Sequence, residues 1–362
     1  MALTSYLTLG RSGLRVSPFT LGTMTFGEDL GWGASAAEST AILAAYLDRG
    51  GNSVDTANVY TNGHSEVIIG DYLAARPGIR DQIVLGTKFF WNLRLGDPNG
   101  GGPGRKAVIQ QLENSLRRLR TDYVDIYWLH NFDPVTPPEE TLRVLDDLVT
   151  AGKIRYVGFS DVPAWAAAEA ATIARFRGWA PVIALQLEYS LLERTAEGEL
   201  IPLAQAMGMG VLPWGPLKSG FLSGKYSSAA PGTAAVDTSR AELVGSPSRA
   251  DYQVIDVVNG VAAETGASPA AVALAWVQAR PGVTSTLIGV RRLAQFKDNL
   301  TALDLTLSPE HTARLAQASA PRLNFPAHNN AAFARLARNG GTTVDGIPTP
   351  APPRLVQGAR VY

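Results

Sequence analysis

Three ionisable residues stand where short apolar runs end, and a tyrosine follows the first of them. Asn52-Ser53-Val54-Asp55 leads into Thr56-Ala57-Asn58-Val59-Tyr60, Leu85-Gly86-Thr87 leads into Lys88, and Ile126-Tyr127-Trp128-Leu129 leads into His130. Three successive runs closed by an ionisable side chain are what catalysis at the strand ends of a barrel requires. A tyrosine is a poor acid at neutral pH, with a reference pKa of about 10. An ammonium beside it stabilises the phenolate and lowers that value, and a carboxylate beside the ammonium keeps it charged and in place. Asp55, Lys88 and Tyr60 would thus form a tuned general acid able to protonate a forming alkoxide, with His130 orienting a carbonyl or sharing the proton. Side chains do not supply hydride, so the electrons for such a reduction would come from a cofactor. Singly, each residue has a blander role: a structural ion pair, a boundary tyrosine, a satisfied core histidine. Their joint placement favours the chemical reading.

The elements that must position them alternate along the chain. Strand signals lie near 19–23, 53–55, 83–87, 125–129, 155–159, 183–187, 210–214 and 285–288. Amphipathic stretches fall between them near 35–49, 64–75, 105–119, 139–150, 163–176, 197–207 and 252–265, with Leu112, Leu116 and Leu119 on one stripe. Eight such units predict a (β/α)8 barrel of the α/β class. An open doubly wound sheet would place a G-x-G-x-x-G turn after its first strand. Here that strand leads into Gly22-Thr23-Met24-Thr25-Phe26-Gly27, which does not match. Residues 6–17 alternate around a Gly-containing turn and predict an N-terminal β-hairpin. Residues 89–104 and 226–250 are long loops expected over the C-terminal face. Residues 1–320 are expected to form the barrel and 321–362 a C-terminal extension packed on the barrel or trailing from it.

The 362 residues carry 32 basic and 32 acidic side chains, so no net positive field is available to hold nucleic acid or an anionic membrane. No cysteine is present, which excludes disulfides, thiolate nucleophiles and cysteine-ligated zinc. No metal site is expected. The first residues lack a basic region followed by an apolar core, and no window reaches membrane-spanning length. A cytoplasmic location is the expectation, and the oligomeric state is left open.

The chain resembles the aldo-keto reductases. The resemblance rests on Asp55-Thr56-Ala57-Asn58-Val59-Tyr60, Gly86-Thr87-Lys88, Asp122-Tyr123-Val124-Asp125-Ile126-Tyr127-Trp128-Leu129-His130, and Gly152-Lys153-Ile154-Arg155-Tyr156-Val157-Gly158-Phe159-Ser160, and it spans residues from about 7 to 318. It implies that Tyr60, Asp55, Lys88 and His130 form a catalytic tetrad with tyrosine as the acid. It also implies a nicotinamide cofactor, NADPH, bound to the barrel without a separate dinucleotide domain.

Carried over residue by residue, the resemblance assigns Ser160 and Gln186 to the nicotinamide amide and Trp214 to the nicotinamide face, where an aromatic ring suits a planar heterocycle. Thr23, Met24 and Asp55 are counted among the cofactor contacts. The run from Trp214 through Gly215, Leu217, Ser219 and Gly220 to Lys225 is similar to the family's pyrophosphate loop, with free backbone N–H groups and Lys225 as anion binders. A P-loop is excluded by the glycine spacing and by Tyr226 after Lys225. Gly289 and Arg291 match the adenosine-phosphate segment, and a guanidinium there suits the 2′-phosphate of NADPH. Gln295, Asp298 and Asn299 correspond to adenine and ribose contacts. Asp161 stands where many members carry Asn, and with Pro163-Ala164-Trp165 it is similar to the aryl-alcohol dehydrogenase subgroup.

Trp32, Phe89, Trp91 and Asn131 are expected beside the mouth, where they would suit an apolar or aromatic aldehyde or ketone. Two rivals stand against a reversible carbonyl reductase. A regulatory protein on the same barrel is one, although the channel-associated β subunits of the family depart at the position of His130. A glycosidase using Asp161 and Glu188 is the other, and it leaves the Tyr–Lys pair unexplained.

Overall fold

A computed structural model describes residues 1–229 and 245–352. After a short antiparallel hairpin, β1 (Leu7–Thr8) with β2 (Arg15–Val16), eight parallel strands follow in one sheet. They are β3 (Phe19–Gly22), β4 (Ser53–Asp55), β5 (Val84–Phe89), β6 (Val124–Leu129), β7 (Ile154–Ser160), β8 (Val182–Glu188), β9 (Gly210–Trp214) and β10 (Thr286–Gly289). Between them run α1 (Ala36–Asp48), α2 (His64–Ala74), α3 (Arg105–Leu119), α4 (Pro138–Thr150), α5 (Ala164–Arg177), α6 (Leu200–Met207), α7 (Arg249–Thr265) and α8 (Pro269–Gln278). After β10 come α9 (Leu293–Leu300) and α10 (Pro309–Ala318). Strand order is β10-β3-β4-β5-β6-β7-β8-β9. The β9–β10 seam is closed by a parallel bridge from Val211 to Val283 and by the Val211 carbonyl, which accepts from the N–H groups of Thr284 at 2.8 Å and Ser285 at 3.4 Å. Pro213 lies in β9 and has no N–H for a ladder, which suits it to a strand at a seam.

The period of two along each strand sorts side chains into two cores. Leu85, Phe89, Tyr127, Leu129, Val157 and Phe159 pack outward against the helices. Val84, Ile126, Trp128, Ala184, Leu212 and Leu287 fill the barrel, and Leu9 and Val16 of the hairpin join this inner cluster. Lys88 and Trp128 are register partners, as are Trp128 and Gly158. Trp128 is therefore the floor under the strand-end residues, and its neighbours leave room for it. A Cβ at Gly86 would lie 2.8 Å from the Trp128 Nε1, and one at Gly158 would sit inside the six-membered ring's van der Waals surface. Gly158→Ala should accordingly cost about 1–3 kcal/mol, as overpacking does. A lower urea midpoint would register that loss, and adding Trp128→Leu should restore part of it.

The helices begin where side chains cap them. Ser35 accepts from the Glu38 N–H, Ser248 and Asp251 form a capping box, and Ser268 and Ser308 cap helices that start with Pro269 and Pro309. The eight predicted strands are all present, each within two residues of its expected bounds. Helices α8, α9 and α10 are additional. In α8 every residue from Ala270 to Val277 is buried, so it carries no polar face and no helical period.

The tail holds a helix, α11 (Ala327–Asn339), with no buried residue, and a small hairpin of β11 (Thr343–Val344) and β12 (Ile347–Pro348). Its start lies against Gly198, near Leu323 and Ala327. The segments 230–244 of the second long loop and 353–362 of the extension lie outside the described residues.

Candidate active site

Asp55 ends β4, Lys88 is the penultimate residue of β5, and His130 directly follows β6, so three adjacent strands deliver three groups to one end of the barrel. Tyr60 arrives from the loop after β4. That loop turns sharply: Thr61 (φ 45°), Asn62 (φ 56°) and Gly63 (φ 93°) are consecutively left-handed. Asn and Gly tolerate this conformation, whereas the β-branched Thr61 does not favour it. The Thr61 hydroxyl donates to the Phe26 carbonyl at 2.8 Å and accepts from the Ser65 N–H at 3.0 Å, which holds the strained turn. Behind it, buried Glu66 of α2 accepts from the Thr87 hydroxyl (2.5 Å) and from Arg118 Nε (2.6 Å). The Tyr60 turn is thereby fastened to the strand that carries Lys88.

The Lys88 ammonium is fully buried and spends its three N–H bonds on Asp55 Oδ2, the Thr56 carbonyl (3.0 Å) and the Tyr60 hydroxyl oxygen (2.9 Å). Because the Tyr60 oxygen accepts from Lys88, its own proton remains to be given to a substrate. Asp55 Oδ1 accepts from Gln186 Nε2 at 3.1 Å. The His130 ring stands edge-on to Tyr60, centroids 5.8 Å apart, and Trp91 stands edge-on to His130 at 6.5 Å. The His130 Nδ1 is buried and has no hydrogen-bond partner among the described residues.

Electrostatics correct one expectation. Burial raises the Tyr60 pKa above its ordinary value, and the Lys88 charge offsets only part of that rise, with Asp55 opposing it. Tyr60 is therefore held as the neutral acid rather than drawn toward phenolate. Burial alone would lower the Lys88 pKa, but Asp55 and Tyr60 together raise it, so the ammonium stays charged. Burial also lifts the Asp55 carboxyl against the pull of Lys88 and Gln186.

His130 is pushed well below the ordinary histidine value, first by burial and then by the Lys88 charge. It is neutral at pH 7. Between its folded and unfolded pKa values the unfolded chain binds the extra proton, so acidification below about 6.5 removes stability, by at most about 1.4 kcal/mol per pH unit. His130→Asn should flatten the fall of the thermal midpoint between pH 7 and pH 5. An unchanged slope would place the acid-sensitive group elsewhere.

Ser160 and Gln186 are register partners at the ends of β7 and β8, and Trp214 pairs with Glu188 at the end of β9. A hydroxyl, an amide and a partly exposed indole thus stand side by side next to the tetrad. Asp161 (φ 54°) bridges them: its Oδ1 accepts from Trp214 Nε1 at 2.9 Å and its Oδ2 from the Ser160 hydroxyl at 3.2 Å. Protein crowding raises its carboxyl pKa despite those two bonds and the Lys88 charge, although one side stays open to solvent. Glu188 is paired with Lys218 at 2.6 Å.

The loop after Trp214 contains left-handed Gly215, Lys218, Ser219 and Gly220. The N–H groups of Lys218, Gly220, Phe221, Leu222 and Ser223 already donate within the loop, contrary to the expectation that its amides are free. Lys225 is exposed, and Leu217 is partly buried.

In the segment expected to meet the adenosine, Gly289 is exposed at the end of β10. The Gln295 side chain accepts from the Arg291 and Arg292 N–H groups at 3.0 and 3.2 Å and so caps α9. Asp298 accepts from the Ser268 hydroxyl at 2.9 Å, and Asn299 is buried. Thr23 is buried, its hydroxyl donating to the Asp55 carbonyl at 3.0 Å, whereas Met24 is half exposed.

The aromatic residues divide. Trp91 is half exposed at the mouth, and Asn131 follows His130 with its Oδ1 accepting from the Phe132 N–H. Phe89 faces the other way, fully buried with its ring 4.5 Å from Tyr127, because it alternates with the inward Lys88. Trp32 is buried within the first loop.

Four features have no sequence signal. Gln111 of α3 is buried and accepts from the Phe90 N–H (2.9 Å) and Asn58 Nδ2 (2.8 Å), tying together the loops after β4 and β5. The Glu188–Lys218 pair and the Asp161–Trp214 bond join residues far apart in the chain. Trp165 packs edge-on to Phe132 at 5.4 Å and stays largely exposed.

The donor set fits a nicotinamide dinucleotide: polar groups suited to a carboxamide, an aromatic ring beside them, and left-handed glycines in the next loop. The sequence profile of the Aldo/keto reductase family matches residues 18–320. An uncharacterized oxidoreductase of Bacillus subtilis is 37% identical over 316 residues, covering 84% of this chain and 93% of that protein. A probable voltage-gated potassium channel subunit beta of rice (Oryza sativa subsp. japonica) is 38% identical with the same coverage. An aryl-alcohol dehydrogenase of Pestalotiopsis microspora is 34% identical over 334 residues, covering 90% of this chain and 84% of that protein. A (β/α)8 barrel with these strand-end residues and a family match along most of its length is one of the aldo-keto reductases, and the chain belongs to that family.

Proposed function

We propose that the chain is a cytoplasmic NADPH-dependent reductase of aldehydes or ketones with aromatic or apolar substituents, working reversibly on the corresponding alcohols. The observation that carries this reading is the Lys88 ammonium, which bonds to both Asp55 and the Tyr60 hydroxyl at the barrel mouth. Tyr60 gives its proton to the carbonyl oxygen as negative charge builds there. Lys88, kept charged by Asp55, stabilises the phenolate that results. Neutral His130 orients the carbonyl oxygen without competing as the acid. A bound nicotinamide supplies the hydride. Ser160 and Gln186 would hold its carboxamide, Trp214 its face, the loop from Gly215 to Lys225 the pyrophosphate, and Arg291 the 2′-phosphate. Trp91 and Asn131 would border the substrate. The barrel would be one unit through about residue 320, with the remainder an extension on its surface.

The rice relative favours a second reading, a cofactor-binding regulatory protein. NADPH consumption with benzaldehyde-type substrates separates the two. Tight cofactor binding without turnover over a broad carbonyl panel would support the regulatory role.

A further inference from the structure

Three carboxylates ring the mouth at strand ends: Asp55 on β4, Asp161 just beyond β7 and Glu188 on β8. Two of them have cations of their own. Asp55 is paired with Lys88, and Glu188 with Lys218 at 2.6 Å. Asp161 differs. Its hydrogen bonds come only from neutral donors, the Trp214 indole N–H at 2.9 Å and the Ser160 hydroxyl at 3.2 Å, and no ion pair joins it among the described residues. An indole N–H can only donate, so Asp161 Oδ1 is an acceptor, as the ionised carboxylate requires. The charges that act on Asp161 are Lys88, which Asp55 neutralises, and Glu188, which Lys218 neutralises. One negative charge is left over.

Its position is fixed from three sides. Asp161 adopts the left-handed backbone (φ 54°) that Asp tolerates better than most residues, and its N–H donates to the Gln186 carbonyl at 3.2 Å. It therefore touches Ser160, Gln186 and Trp214 together, the three residues that would receive the nicotinamide. The oxidised nicotinamide ring is a pyridinium cation, whereas the reduced ring is neutral. A fixed, unmatched carboxylate beside that ring discriminates between the two forms.

We propose that Asp161 is the countercharge for the oxidised nicotinamide ring and sets which redox form of the dinucleotide the protein holds more tightly. The inference rests on the cofactor reading above and deepens it, because a neutral residue at this position would hold the ring without preferring its charged form. Asp161 acts here as a positioning and selectivity residue.

The test is equilibrium binding by titration calorimetry near neutral pH, with NADP+ and NADPH titrated separately into wild type, Asp161→Asn and Asp161→Ser. A single charge a few ångströms away at an effective dielectric constant of about 20 implies a change of about tenfold or more. The ratio of the NADPH to the NADP+ dissociation constant should fall by about that factor in both variants, mainly through weaker NADP+ binding. Ser160→Ala, which removes a donor but keeps the charge, should weaken both forms in parallel. An unchanged ratio in Asp161→Asn and Asp161→Ser, with both forms still bound, overturns the inference and leaves the cofactor reading standing. Failure of wild type to bind either form overturns the cofactor reading and the inference with it.

Discussion

Tyr60→Phe is expected to lower kcat by about a hundredfold to ten-thousandfold, the usual contribution of a positioned acid. The dissociation constant for NADPH should stay close to that of wild type, because the lost hydroxyl is bonded to Lys88 and none of the proposed cofactor contacts. Stability should change little: Lys88 keeps Asp55 and the Thr56 carbonyl as acceptors, and Tyr60 is only partly buried. Steady-state kinetics with an aromatic aldehyde, alongside a cofactor titration, separates the two effects. Near-normal kcat in the variant would mean that the proton comes from another group.

Lys88→Met should have the largest effect on the protein as a whole. Lys88 and Asp55 are both buried, and removing the ammonium leaves a carboxylate in the barrel with only Gln186 to bond it. Stranding one member of a buried pair typically costs about 3–5 kcal/mol. Turnover should be lost as well, since no cation remains to receive the phenolate. The double variant Asp55→Leu/Lys88→Met distinguishes the two roles. Replacing a buried pair with apolar residues is often neutral for stability. Urea unfolding should therefore show much of the lost stability regained, while activity stays absent. If the double variant were as unstable as the single one, the ion pair would be serving the packing of the barrel more than its chemistry.

Much of this site was legible because a barrel strand is a short apolar run whose last inward residue meets solvent and ligand. Asp55, Lys88 and His130 close such runs, and the eight runs could be counted. Phe89 was misplaced for a reason already present in the sequence: with Lys88 inward, the period of two turns Phe89 outward onto Tyr127. Trp32 is different, since nothing in its neighbourhood tells that it is buried. Helix α8 was hidden because it is apolar on every face.

The electrostatics were the least legible part. The Lys88–Tyr60 proximity suggested a lowered tyrosine pKa, but burial, which is a property of the folded chain, reverses the direction. The amides of the loop after Trp214 look free in a glycine-containing sequence, yet the fold uses five of them internally. The bond between Asp161 and Trp214 spans 53 residues and follows from strand order rather than from any motif.

The central claim is that Tyr60 protonates a carbonyl that receives hydride from the nicotinamide. Label transfer tests it most directly. NADPH deuterated at the transferable ring carbon is mixed with benzaldehyde and either wild type or Tyr60→Phe, and the alcohol is examined for deuterium at the carbinol carbon. Wild type should yield alcohol labelled at that carbon, and Tyr60→Phe should bind the same dinucleotide yet form almost none. Labelled alcohol formed equally fast by the variant, or no labelled alcohol from wild type across a panel of aldehydes despite bound NADPH, would contradict the account.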